Sequence, residues 1–188
     1  MQEYTGIELL DEIKKYKDVH SVSFTGGEPL LHYQFLAELF PQINKKIYLE
    51  TNATLYDELK EVIDYVDIIS ADIKLPSCCG QDNFEAHEKF FNSLRFYELD
   101  CACDKQFDCY NHECFVKIVF GEAISDEEIE ISAQMAKRHD LEIILQPMML
   151  GNNLSVTSEK IEEVFDKFLS HYERVRVIPQ VHKFIDVR

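Results

Sequence analysis

The chain has 188 residues, 46% of them apolar, enough to bury one substantial core and too few for two full domains, so a single domain over residues 1–188 is expected. A formal net charge of −16 sets long-range repulsion against nucleic acid and anionic membrane surfaces. No stretch approaches the roughly 20 consecutive apolar residues of a membrane-spanning helix, and the N-terminus lacks a basic region followed by an apolar run. A cytoplasmic protein is expected, and its six cysteines then point to reduced thiols or metal ligation over a disulfide framework.

From Thr5 to about Lys17 the apolar positions Ile7, Leu10, Ile13 and Tyr16 recur at helical spacing. Ser21 to Phe24 alternates as a strand and runs into Thr25-Gly-Gly-Glu-Pro29. Gly26 and Gly27 let the backbone approach a small molecule with no Cβ in the way, while Glu28 and Pro29 fix the exit into a helix from Tyr33 through Ile43. An ordinary strand-to-helix turn has the same composition. Lys46 to Glu50 reads as the next strand and Leu55 to Tyr65 as the next helix. Asp67 to Lys74 then reads as a strand and Asn83 to Tyr97 as a helix. A cysteine-rich insert follows at about 98–114, leading into a strong strand pattern over Glu113 to Phe120. Ser125 is a helix cap, with Glu128 completing a capping box, for a helix to about His139. Leu141 to Gln146 is a strand, Ser158 to Tyr172 a helix, and Arg174 to Gln180 the last strand.

This strand–helix alternation predicts an α/β fold in which a parallel sheet carries helices on its outside and right-handed crossovers curl it into a partial (β/α)6 TIM-like barrel. The chain opens on a helix, and a helix lying on a parallel sheet normally follows a strand. The first strand of the barrel is therefore expected to be missing, with truncation at the front. The edge carrying Val22 and Phe24 would be left unpaired and open to dimerisation.

In such folds ligands sit at the C-terminal ends of the strands. Those ends here are Thr25-Gly-Gly-Glu28, Glu50-Thr-Asn52, Asp72-Ile-Lys74, Lys117, Gln146-Pro147 and Gln180-Val-His182. Glu50, Thr51 and Asn52 group a carboxylate, a hydroxyl and an amide suited to a ribose or an amino group, although Asn52 with Thr54 also suits an Asx turn. Asp72 and Lys74 share one side of their strand, where they either contact an amino-acid ligand or pair with each other. Lys117, alone in an apolar strand, requires a polar interior or a carboxylate partner. His182 is either a proton donor to substrate or a surface histidine. In the insert, Cys101, Cys103, Cys109 and His112 could hold zinc or an iron–sulfur cluster, with a spacing that matches neither Cys-x3-Cys-x2-Cys nor paired Cys-x2-Cys.

The Gly-Gly-Glu-Pro turn resembles that of radical S-adenosylmethionine (SAM) enzymes. The runs Asp67 to Ser77, Phe115 to Val119, Leu145-Gln-Pro147 and Arg176 to Lys183 are similar to the 7-carboxy-7-deazaguanine synthase-like branch. The likeness covers about residues 20 to 188, and the C-terminus looks native. It implies SAM held by Gly26, Gly27, Glu28, Pro29, Glu50, Asn52, Asp72, Lys74 and Gln146, with Gln180 and His182 near substrate and Lys117 and His182 as catalytic candidates. It also implies a [4Fe-4S] cluster, magnesium, and a flavodoxin or ferredoxin as electron donor. The reaction would be reductive SAM cleavage followed by hydrogen abstraction from 6-carboxytetrahydropterin. The family's Cys-x3-Cys-x2-Cys motif is not found, since residues 1–20 hold no cysteine. The stretch Glu50-Thr-Asn-Ala53 departs from the usual Glu-Thr-Asn-Gly, which argues against a positive φ at Ala53. A glycyl-radical activating enzyme, or a non-catalytic barrel that binds a nucleoside-like ligand or a protein partner, shares most of these features.

Overall fold

The computed structural model describes residues 4–99 and 112–181. Helix α1 (Gly6–Lys15) starts at a capping box in which Thr5 and Glu8 satisfy each other's backbone N–H groups. Strand β1 (Ser21–Phe24) is followed by a 3-10 turn over Pro29–His32 and by α2 (Tyr33–Leu39). Then come β2 (Lys46–Thr51), α3 (Tyr56–Lys60), β3 (Ile68–Ile73), the short α4 (Pro76–Cys79) and α5 (Phe84–Leu99). The second half runs β4 (Glu113–Phe120), α6 (Asp126–Arg138), β5 (Glu142–Pro147), the pair β6 (Met149–Leu150) and β7 (Asn153–Leu154), α7 (Ser158–His171) and β8 (Val175–Val177). The capping box expected at Ser125 and Glu128 opens α6.

The main sheet is six-stranded and parallel throughout, in the order β1-β2-β3-β4-β5-β8. Because that order follows the chain, right-handed crossovers place successive helices on one side. On that side Leu49, Ile69, Ala71, Val116, Ile118, Phe120, Ile143 and Leu145 are fully buried and share one core with Leu59, Phe90, Phe91, Val164 and Phe168. The other face holds the alternate residues of the same strands. In register, Glu50 neighbours Ser70, Ser70 neighbours Phe115, and Asp72 neighbours Lys117. Strands β2, β4 and β5 alternate between buried and partly exposed residues, whereas β3 is buried on both faces from Ile68 to Ala71, so one face is core and the other carries the polar Glu50, Asp72 and Lys117. The architecture is that of the partial α/β barrel expected, with β1 and β8 each paired on one side only among the described residues.

Departures from the expected elements have local causes. The helix expected from Tyr33 to Ile43 gives way to a 3-10 turn at Phe40–Gln42, because Pro41 has no N–H to continue an α-helix. The helix expected over Leu55 to Tyr65 stops at Lys60, and a tighter 3-10 turn at Ile63–Tyr65 buries Ile63 and leaves Tyr65 exposed. The last strand ends at Val177, two residues before Pro179, which cannot donate to a ladder. The β6–β7 hairpin, turning at Gly151 with φ +60°, carries no expected strand pattern.

Candidate functional site

The polar strand ends meet at one rim of the sheet. Gly26 and Gly27 have φ of +92° and +58°, a conformation that favours glycine, and a Cβ at either would meet no atom within 4 Å. The turn thus presents bare backbone to open space. Beside it lies a 470 Å³ cavity lined by Tyr4, Phe24, Gly26, Pro29, His32 and Phe35, among others.

Glu28 turns inward. Its carboxylate accepts from the Leu30 N–H (3.1 Å), the Thr51 hydroxyl (2.8 Å) and the Asn52 N–H (2.6 Å), and the residue is 8% exposed. These bonds join the end of β1 to the end of β2. Asn52 forms the Asx turn, with its Oδ1 accepting from the Thr54 N–H (3.1 Å) and hydroxyl (2.6 Å). The expectation against a positive φ at the next residue is overturned: Ala53 sits at φ +53°, fully buried. Left-handed backbone costs a residue with a Cβ about 1–2 kcal/mol. Here the Asx turn and a bond from the Ala53 N–H to Thr51 Oγ1 (3.2 Å) hold it in place.

On the open face, Lys117 Nζ lies 2.9 Å from Asp72 Oδ1 and 3.4 Å from Glu50 Oε2, and Lys74 Nζ lies 2.7 Å from Asp72 Oδ2. The requirement that Lys117 find carboxylates is met, and the Asp72–Lys74 pairing is formed. Burial works to lower the Lys117 pKa, but Asp72 and then Glu50 outweigh it and hold the value above that of an ordinary lysine. Lys117 is therefore a fixed positive charge at neutral pH. Tyr48 faces the same side, 6.3 Å from Phe115 between ring centroids, and burial pushes its phenol pKa up. Gln146 is half-buried in β5, and Gln180 Oε1 is buried with no hydrogen-bond partner among the described residues. His182 lies outside the described residues.

Two further buried polar residues belong to the rim. His87 on α5 is fully buried, with Nδ1 3.0 Å from the Ala53 carbonyl and Nε2 accepting from the Lys74 N–H at 3.3 Å. Glu128 accepts from the Ser77 N–H (2.6 Å) after β3 and from the Ser125 N–H (2.8 Å) after β4. Glu28, His87 and Glu128 thus link the ends of β1, β2, β3 and β4 in succession. Sequence reasoning did not assign His87 to the site. Its one signal is position: it falls three residues after Phe84 and four before Phe91, a polar side chain on an apolar face.

The cysteine-rich insert divides. Cys101, Cys103 and Cys109 lie outside the described residues, whereas His112 directs Nδ1 to the Val66 carbonyl, just before β3 begins and at the opposite end of the sheet from the rim. Cys78 bonds to the Val119 carbonyl (3.4 Å) and burial raises its thiol pKa, while Cys79 bonds to the Gln81 carbonyl (3.2 Å). Among the described residues no group of three or more His, Cys, Asp or Glu could hold a metal ion.

No protein-family model matches the chain. Among curated proteins it is 34% identical over 171 residues to a 7-carboxy-7-deazaguanine synthase of Geobacter sulfurreducens, covering 88% of this chain and 62% of that one. It is 32% identical to the synthase of Archaeoglobus fulgidus, covering 90% and 68%, and 41% identical to that of Methanothermobacter thermautotrophicus, covering 91% and 72%. The chain belongs to the 7-carboxy-7-deazaguanine synthase family. It spans about three-fifths to three-quarters of the length of these relatives. A 4-hydroxyphenylacetate decarboxylase activating enzyme of Clostridium scatologenes is 36% identical over 84 residues, 39% of this chain.

Within this family member, the rim brings together Gly26, Gly27, Glu50, Asp72, Lys74 and Lys117, and it commits the side chains of Glu28 and Asn52 to bonds inside the protein.

Proposed function

We propose that this chain supplies the SAM- and substrate-holding part of a 7-carboxy-7-deazaguanine synthase, a radical enzyme acting on a small molecule such as 6-carboxytetrahydropterin. The observation that carries the reading is the two-sign polar cluster of Glu50, Asp72, Lys74 and Lys117 on the open face, next to the bare backbone of Gly26 and Gly27. Carboxylates suit ribose hydroxyls and an ammonium, and lysines suit a carboxylate, so the donor set fits an amino-acid nucleoside such as SAM. Gln146 on β5 and Gln180, three residues past the end of β8, would extend the polar surface toward a substrate. The match to synthases over most of the chain favours a small-molecule substrate over the protein substrate of a glycyl-radical activating enzyme, whose likeness covers 39% of the chain.

A [4Fe-4S] cluster would supply the electron for SAM cleavage, drawn from a flavodoxin or ferredoxin. The described residues do not fit that cluster, so its ligands are not assigned to them, and the same holds for magnesium and zinc. What the chain's own residues do is hold and orient. Among the described residues no helix is long and apolar enough to cross a membrane. The net charge of −16 favours a protein that avoids nucleic acid and anionic membrane surfaces.

Calorimetric titration with SAM tests the holding role. Saturable binding is expected, weakened at least tenfold by Asp72→Asn, and absence of binding at millimolar SAM would refute it. Anaerobic reconstitution with iron and sulfide, followed by assay of bound iron and SAM cleavage, then asks whether cluster ligands lie in residues 100–111.

The edge of β1 that has no strand partner among the described residues and the exposed Ile7, Tyr16 and Val19 nearby in sequence favour self-association through added strand pairing. Size-exclusion chromatography is expected to show apparent mass rising with concentration. An invariant monomer peak would count against the dimer.

A further inference from the structure

We propose that His87 is a positioning residue for the site: its neutral imidazole ties the loop after β2 to the loop after β3 and so sets where Asp72 and Lys74 present their charges. The ligand half of this statement rests on the SAM-holding role proposed above.

The two contacts of the ring define its chemistry. The Ala53 carbonyl can only accept, so Nδ1 carries the proton; the Lys74 N–H can only donate, so Nε2 is bare. One neutral tautomer satisfies both, and no protonated form does. Each contact adjoins a member of the site. Ala53 follows Asn52, whose N–H is held by Glu28, and Lys74 pairs with Asp72, which in turn pairs with Lys117. Displacing the imidazole releases the left-handed Ala53 on one side and Lys74, one of the two lysines paired with Asp72, on the other.

Of the three side chains that link successive strand ends, His87 is the one of a type that titrates near neutrality. Burial lowers its pKa from the ordinary 6.5, the contact with the Ala53 carbonyl opposes that, Lys74 adds to it, and Asp72 and then Asp82 oppose it. A histidine with a depressed value contributes stability that is fully present above the ordinary value and is lost as pH falls through the lowered one. Protonation sets an Nε2–H against the Lys74 N–H, two donors facing each other, and the joint opens.

The test follows the Lys74 amide by hydrogen exchange in the whole chain at pH 7.5 and 5.0, in wild type, His87→Gln and His87→Asn. Glutamine places its amide oxygen near the Nε2 position and can accept from Lys74; asparagine reproduces only the Nδ1 donor. The protection factor of Lys74 is expected to fall at least tenfold on acidifying wild type, to be low at both pH values in His87→Asn, and to hold within threefold at both in His87→Gln. Affinity for SAM is expected to follow the same order. A Lys74 protection factor that is insensitive to pH in wild type and equal in both variants overturns the proposal, as does SAM affinity unchanged where protection is lost. If the amides behave as expected and no form binds SAM, the SAM-holding reading fails and the positioning of the two loops by His87 stands. Wild type alone supplies the pH arm should a variant fail to fold.

Discussion

Glu28→Ala is expected to cost about 3–5 kcal/mol of stability, because it strands three donors in a place water barely reaches. The Leu30 N–H, the Thr51 hydroxyl and the Asn52 N–H all converge on one carboxylate, and each hydrogen bond to a charged group contributes about 1.5–3 kcal/mol. Glu28→Gln keeps the shape and one acceptor oxygen, but its NH2 confronts a donor, so about half the loss is expected. Thr51→Val in a double-mutant cycle with Glu28→Ala isolates the bond between the strand ends, with a coupling of about 1 kcal/mol. Urea denaturation of wild type, the three single variants and the double variant supplies the numbers. An unchanged midpoint for Glu28→Ala would show that the carboxylate does not hold the rim together.

Lys117→Met is expected to cost about 2–3 kcal/mol, less than a fully buried ion pair because Glu50 remains one-third exposed. The apolar stem is kept, so the loss is electrostatic. Without the ammonium, the Glu50 and Asp72 carboxylates share the open face with Lys74 paired only to Asp72. The two carboxylates then face each other with no cation between them, which is the source of the loss. In wild type the pH dependence of the bridge falls at the alkaline end. The Lys117 pKa is raised by folding, so its contribution is fully present below the ordinary lysine value of 10.5 and is lost as pH rises through the higher folded value. Urea midpoints of wild type and Lys117→Met at pH 7 and above pH 10.5 read this effect, the difference between the two proteins narrowing at the alkaline value. Equal midpoints for the two proteins at pH 7 would mean that the bridge contributes nothing. In a SAM titration the same variant should lose affinity at least tenfold, since the ammonium that bridges Asp72 and Glu50 is gone.

The legible part of this protein is the part set by neighbours in the chain. Alternation at period two in Lys46 to Thr51 and Glu113 to Phe120 marks strands with one buried face, and helical spacing in between marks the helices that cover it. Their order alone implies a parallel sheet with its polar ends at one rim. Period two also places Asp72 and Lys74 on one side, and Ser125 with Glu128 three residues later announces the start of α6. The Asx turn of Asn52 is equally local.

What only the tertiary structure decided spans long stretches of chain. Lys117 meets Glu50 across 67 residues, Glu28 reaches Asn52 across 24, and His87 reaches Ala53 across 34. Nothing in the local pattern distinguishes a Glu28 aimed at a ligand from one aimed into the protein; the packing of two neighbouring strand ends makes that choice. Ala53 shows the same division, since its residue type argues against a positive φ and three surrounding hydrogen bonds impose one. His112, grouped by sequence with the insert cysteines, is drawn by the β3–β4 pairing to the far end of the sheet. Local periodicity specifies which face of each element is apolar, because burial acts residue by residue. Which polar groups then satisfy one another depends on strand register, and register is settled only when the elements pack.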